Sequence, residues 1–179
     1  MRFVVVAGNP KPQSRTLAAA RQAAAAITGA AGLAGGYQVA DLSGLGPRLL
    51  RPEPSPAVED ALEQVTGADV VLVASPTYKG TYTGLLKVFL DRLPHRALDG
   101  VTALPLLVMG APQHALAVDV YLRPLLLELG ATVPVPGLAL LESELANPES
   151  VLLPWAARAA AMIARAPVAA LASQPPVPA

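Results

Sequence analysis

The first sixteen residues constrain this chain more than any other stretch. An unbroken apolar run, Phe3-Val4-Val5-Val6-Ala7, leads into the polar loop Gly8-Asn9-Pro10-Lys11-Pro12-Gln13-Ser14-Arg15-Thr16, which opens an alanine-rich segment. Continuous runs of valine and aromatic residues suit a strand buried on both faces, and such strands belong to parallel sheets covered by helices. A strand that passes through a short loop into a helix is the first half of a βαβ unit, so an α/β fold is expected.

The same loop carries chemistry. A helix start presents free N–H groups beyond the end of the strand, which makes an anion site. Here two hydroxyls, Ser14 and Thr16, and the guanidinium of Arg15 stand at that start. Several donors in one place suit a phosphate monoester, which offers several acceptor oxygens. The plainer alternative is a Ser/Thr N-cap on a surface helix. The loop is not G-x-x-x-x-G-K-[ST] and lacks G-x-G-x-x-G, which argues against a P-loop nucleotidase and a Rossmann dinucleotide site.

The alternation continues along the chain. Strands are expected at about 2–8, 37–42, 69–75, 102–108 and 131–140. Helices are expected at about 15–29, 57–66, 82–93, 114–129 and 149–165, with Pro124 inside the fourth and Gly130 capping it. Five strands joined by helical crossovers give a doubly wound parallel sheet, whose ligands bind at the carboxyl ends of the strands. One domain is expected over 1–166, followed by a Pro/Ala-rich, disordered tail over 167–179.

Composition narrows the function classes. The formal net charge is zero and 15% of residues are charged, which gives no sign of a nucleic-acid binder. With no cysteine and two histidines, thiolate catalysis and a metal site are not expected. No apolar run reaches the length of a membrane span, and the chain begins without a signal peptide, so a soluble, cytoplasmic protein is expected.

Two further loops fall at carboxyl ends of strands. Ser75-Pro76-Thr77-Tyr78-Lys79-Gly80-Thr81-Tyr82-Thr83-Gly84 is too polar and turn-rich for a plain connector. Pro76 stiffens the exit, Thr77 and Tyr78 offer hydrogen bonds and surface to a planar ligand, and Gly80 lets backbone approach. Met109-Gly110-Ala111-Pro112-Gln113-His114 forms the third loop, where Gly110 permits an unusual angle or a close ligand. The helices at 82–93 and 114–129 carry apolar residues on more than one face, which points to a subunit interface.

Together these loops resemble the NAD(P)H-dependent FMN reductases of the flavodoxin-like superfold, the kind that accompanies sulfonate-utilising flavin monooxygenases. The resemblance runs over about 2–165. GNPKPQSRT is similar to the family's G-S-P-x-x-x-S-R-[ST], SPTYKGTYTGLLKVFLDRLP to its P-x-Y-K stretch and following D-x-L-P helix, and HALAVDVYLRPLL to its fourth helix. Asn9 replaces a frequent serine, and Met109 replaces the first residue of a Gly-Gly pair.

The resemblance implies a sheet of order 2-1-3-4-5 and a site for FMN. Gly8, Asn9, Pro10, Ser14, Arg15 and Thr16 would surround the phosphate. Pro76, Thr77, Tyr78, Lys79 and Gly80 would line the ribityl chain and ring, and Met109 and Gly110 the ring's edge. Hydride would pass directly from NADPH or NADH to the flavin, with no catalytic side chain. A homodimer or homotetramer, and a partner monooxygenase that takes reduced flavin, are implied as well. A quinone or azo reductase and a flavodoxin-type electron carrier are the alternatives on the same fold.

Overall fold

The computed structural model describes residues 1–165. The tail expected over 167–179 lies outside them. Five strands form one parallel sheet: β1 (Phe3–Ala7), β2 (Gln38–Asp41), β3 (Val70–Pro76), β4 (Thr102–Met109) and β5 (Leu138–Leu141), in the order β2-β1-β3-β4-β5. The fold is the flavodoxin-like doubly wound sheet. The helices are α1 (Arg15–Ala31), the single turn α2 (Gly46–Leu49), α3 (Pro56–Thr66), α4 (Gly84–Leu90), α5 (Arg123–Glu128) and α6 (Glu149–Arg165).

Period-two alternation in the central strands builds two cores from one sequence run. Val4, Val6, Val71 and Val73 point to one face, where α3, α4 and α5 cover them with Val58, Leu86, Phe89 and Leu126. Phe3, Val5, Val70, Leu72 and Ala74 point to the other, against Ala20, Ala23, Ile27, Trp155 and Ala159 of α1 and α6. The alanine stripe lets α1 lie close to the sheet and to α6.

Three elements depart from the periodicity. The fifth strand, expected at 131–140, is regular only over Leu138–Leu141. Thr132 still makes an isolated bridge to Thr102, but Pro134 and Pro136 remove N–H donors from the stretch between, so no ladder forms there. The helix expected over 114–129 is instead a 3₁₀ turn at Pro112–His114, a π-helical turn at Val118–Leu122 and α5. Pro124 has no N–H for the fourth carbonyl back and its ring crowds that turn. The backbone widens just ahead of it, and the Arg123 N–H reaches the Val118 carbonyl.

The helix expected over 82–93 is regular over Gly84–Leu90, and its apolar residues belong to the core. Leu86, Phe89 and Leu90 are buried, while Leu85 and Val88 pack against the same cluster. Exposed large apolar side chains recur in the next helical segment, at Leu116, Val120, Tyr121 and Leu127, and others lie elsewhere at Met1, Leu50, Tyr78, Leu153 and Met162. No described helix is long and apolar enough to cross a membrane.

Candidate functional site

The parallel sheet sends the loops after β1, β3, β4 and β5 to one edge. The loop after β1 is shaped by its own hydrogen bonds. Asn9 Oδ1 accepts the Lys11 N–H at 2.9 Å, an Asx turn, and Asn9 Nδ2 donates to Thr16 Oγ1 at 3.1 Å. Gln13 takes a left-handed angle, φ 51°, which turns the chain into α1. Ser14 then caps α1, its Oγ accepting the Leu17 N–H at 3.1 Å.

Ser14 therefore is an N-cap, but capping uses only its lone pair. A hydroxyl also has one proton to donate, and those of Ser14 and Thr16 are left over from the contacts just described. The N–H groups of Arg15 and Thr16 occupy the first turn, where helix geometry supplies no acceptor. Asn9, Ser14 and Thr16 are buried, so these donors are held in place at low solvent exposure. Arg15 reaches outward with its side chain 66% exposed, and its Nη2 lies 2.9 Å from Glu142 Oε1.

The loop after β3 is a two-residue hairpin. The Tyr78 N–H donates to the Thr81 carbonyl at 2.8 Å and the Thr81 N–H returns to Tyr78 at 3.3 Å. Lys79 and Gly80 between them have φ of 53° and 86°, the positive pair that a type I′ turn demands. Glycine at 80 is thus required by the turn. The Thr77 N–H extends the β3–β4 ladder by bonding the Val108 carbonyl at 2.7 Å. Thr77 Oγ1 and Thr81 Oγ1 are buried and have no hydrogen-bond partner among the described residues.

A buried network ties the two loops together. The Thr83 hydroxyl donates to the Gly8 carbonyl and accepts the Leu86 N–H at 3.1 Å as the cap of α4. The Thr83 N–H in turn donates to Ser75 Oγ at 3.0 Å. Gly8 also donates to the Ala74 carbonyl at 2.8 Å, and α4 presses so close that a Cβ at Gly8 would lie 2.6 Å from Leu86 Cβ. Close approach of the helix, not an unusual angle, is what demands glycine there.

Of the residues singled out in the sequence, Asn9, Ser14, Arg15, Thr16, Pro76 and Tyr78 line one cavity of about 350 Å³. Lys11, Gln13, Val108 and Glu142 complete it. Gly8, Pro10, Thr77, Lys79, Gly80, Met109 and Gly110 adjoin it in sequence and are not among its lining residues. Met109 is buried at the end of β4, and Gly110 is exposed with nothing within 4 Å of an added Cβ. Nothing among the described residues demands a glycine at 110.

Glu142 was missed because only three loops were read. It is the first residue after β5, at the same edge as the others. The rule that selected the loops after β1, β3 and β4 selects this one too.

The donor set fits a phosphomonoester: two buried hydroxyls, a helix start and a guanidinium. Beside it, Pro76 and Tyr78 offer flat surface, and Thr77 Oγ1 is an unpaired hydroxyl next to them. The donor set lies at the β1/β3 switch point of a flavodoxin-like doubly wound sheet, the place where open α/β sheets bind their ligands.

Comparison with known proteins narrows the class. Residues 1–144 match the model of the NADPH-dependent FMN reductase family, and the chain belongs to that family. A curated relative, "FMN reductase (NADPH)" of Escherichia coli (strain K12), is 49% identical over 77 residues, which is 43% of this chain and 40% of the relative. The chain thus spans less than half the length of that relative. The apo form of an NADH:FMN oxidoreductase, EMOB, superposes with a TM-score of 0.80 at 34% identity, covering 91% of this chain and 88% of that one. An oxidoreductase from Corynebacterium diphtheriae also gives 0.80, at 29% identity, with 92% and 95% covered.

Proposed function

We propose that this protein is an NAD(P)H-dependent FMN reductase that delivers reduced flavin to a partner flavin-dependent monooxygenase. The observation that carries the reading is the buried donor set at the start of α1, in a cavity whose far side is Pro76 and Tyr78. The Ser14 and Thr16 hydroxyls, the first-turn N–H groups and Arg15 hold the phosphate of FMN. Asn9 keeps the loop closed from behind through Thr16 and Lys11. Gly8 and Pro10 complete that loop.

On the other side, Pro76, Thr77, Tyr78, Lys79 and Gly80 hold the ribityl chain and ring, and Met109 and Gly110 border the ring's edge. The unpaired Thr77 hydroxyl bonds a polar atom of the flavin. At Gly110 the missing side chain gives the ring or the nicotinamide room. Bound flavin supplies the redox chemistry by accepting a hydride from the nicotinamide. The protein's part is to orient the two and exclude water, which agrees with a site that needs no acid–base pair.

The relatives support the reading without choosing the nicotinamide, since one is named for NADPH and one for NADH. We further propose that two or four copies associate through the helices near 82–93 and 114–129, the second of which exposes Leu116, Val120, Tyr121 and Leu127, since exposed apolar surface favours burial against its like. The test is steady-state oxidation of NADPH and of NADH with and without added FMN. Stimulation by free FMN is expected. Oxidation that needs a quinone or azo acceptor and ignores added FMN would move the protein to the quinone or azo reductases, and no oxidation at all would make it an electron carrier.

A further inference from the structure

Glu142 stands across the phosphate loop with a carboxylate in the cavity, the only acidic group among its lining residues. It is held there by more than its own flexibility. The turn Glu142–Glu144 closes on β5, with Glu144 Oε2 accepting the Leu141 N–H at 2.7 Å. From that fixed turn Glu142 Oε1 binds Arg15 Nη2 at 2.9 Å. Arg15 is the one guanidinium among the cavity's lining residues, and one of its nitrogens already faces an anion.

We infer that Glu142 is a specificity-determining residue that holds down the affinity for phosphorylated flavin. It rests on the FMN reading above. A phosphomonoester carries about two negative charges near neutral pH and must share Arg15 with, or take it from, a carboxylate that stays in the same cavity. Both the exchange and the like-charge approach oppose binding, while the buried Ser14 and Thr16 donors still reward it. The outcome is a site that recognises the phosphate and yet releases it. That is the property needed by a reductase that gives its flavin away, and not by one that keeps it through both half-reactions. An uncharged flavin does not compete for Arg15 and does not meet this opposition.

The experiment measures dissociation constants for FMN and riboflavin by flavin fluorescence quenching, on the wild-type protein and on Glu142→Gln, Arg15→Ala and the double variant. Glutamine keeps the size and removes the charge. Glu142→Gln is expected to tighten FMN by roughly three- to tenfold, the scale of an exposed ion pair plus a screened repulsion, and to leave riboflavin unchanged. In the Arg15→Ala background the gain should fall to half or less. Equal wild-type affinity for FMN and riboflavin would defeat the FMN reading itself. Wild-type preference for FMN with unchanged or weaker FMN binding in Glu142→Gln would overturn the inference alone, the weaker binding showing that Glu142 positions Arg15 for the phosphate. A gain undiminished without Arg15 would support the inference through like-charge repulsion alone, without the exchange.

Discussion

The loop after β1 and the hairpin after β3 meet at one cavity, but they are built in opposite ways. In the first, the polar side chains of Asn9, Ser14 and Thr16 bond one another or the backbone. In the second, the backbone closes on itself and the buried hydroxyls of Thr77 and Thr81 are left without partners. Each holds one non-glycine residue at a positive φ, Gln13 and Lys79, which costs about 1–2 kcal/mol. The first loop balances that cost with its own hydrogen bonds. The second leaves hydrogen bonds unmade, which fits a surface completed by a ligand. The loop after β1 is thus closed by its own contacts, and the hairpin leaves polar groups open to a ligand.

The largest effect should come from the point where the two loops are clamped together. Gly8→Ala places a Cβ against Leu86 Cβ, an atom fixed to the α4 backbone that cannot rotate away. Overpacking of this kind costs about 1–3 kcal/mol, and the strain would fall on both loops. Denaturant unfolding should show that loss, and FMN affinity should fall with it. A normal midpoint would mean that α4 is free to move, and that the two loops are not rigidly joined.

Next in size is a change confined to the phosphate end. Arg15→Ala should weaken FMN by about 1–2 kcal/mol, below the full value of a charge-assisted bond because the side chain is largely exposed and paired with Glu142. Riboflavin affinity and the melting temperature should hardly change. If riboflavin weakened equally, Arg15 would lie against the ring and the two ends would have to be exchanged.

The hairpin end should respond in the opposite sense. Thr77→Val removes a buried hydroxyl that has no partner and keeps the shape. The apoprotein should hold its stability or gain up to about 1 kcal/mol, while FMN binding or its reduction suffers. Thermal melting of the apoprotein beside FMN titration reads both. Loss of apoprotein stability would show that the hydroxyl has a partner within the protein.

The same contrast decides what could be read from the sequence. The five strands were legible because uninterrupted apolar runs such as Val70–Ala74 leave few alternatives to a buried parallel strand, whereas their order came only from the family resemblance. The turn from β1 into α1 was legible because its signals are local: Ser14 caps the helix that it precedes, and Asn9 and Thr16 are bonded within the same loop. Glu142 was not, since its pairing with Arg15 spans most of the chain and depends on strand order. Proline set the other limit. Pro124, Pro134 and Pro136 fall inside segments whose apolar pattern reads as regular helix and strand, and periodicity does not register a missing N–H. For α4, Leu85 and Val88 lie on the face read as a partner surface, and they pack on the core while staying partly exposed. Periodicity locates a face without saying how deeply the helix is set.

The smallest effect on the fold is expected at Tyr78. Its backbone makes both bonds of the hairpin bridge, but its side chain is half exposed and lines the cavity. A truncation leaves the backbone bonds intact and opens no buried hole. Tyr78→Ala should therefore shift apoprotein stability by less than about 0.5 kcal/mol, the range of surface substitutions. FMN affinity or the rate of NADPH-dependent reduction should fall nonetheless, because the ring loses the surface beside it. Melting and turnover measured on the same preparation separate the two roles. A large fall in melting temperature with normal turnover per folded molecule would show Tyr78 to be a packing residue. The hairpin would then be part of the framework, like the loop after β1, and the contrast between the two ends of the cavity would disappear.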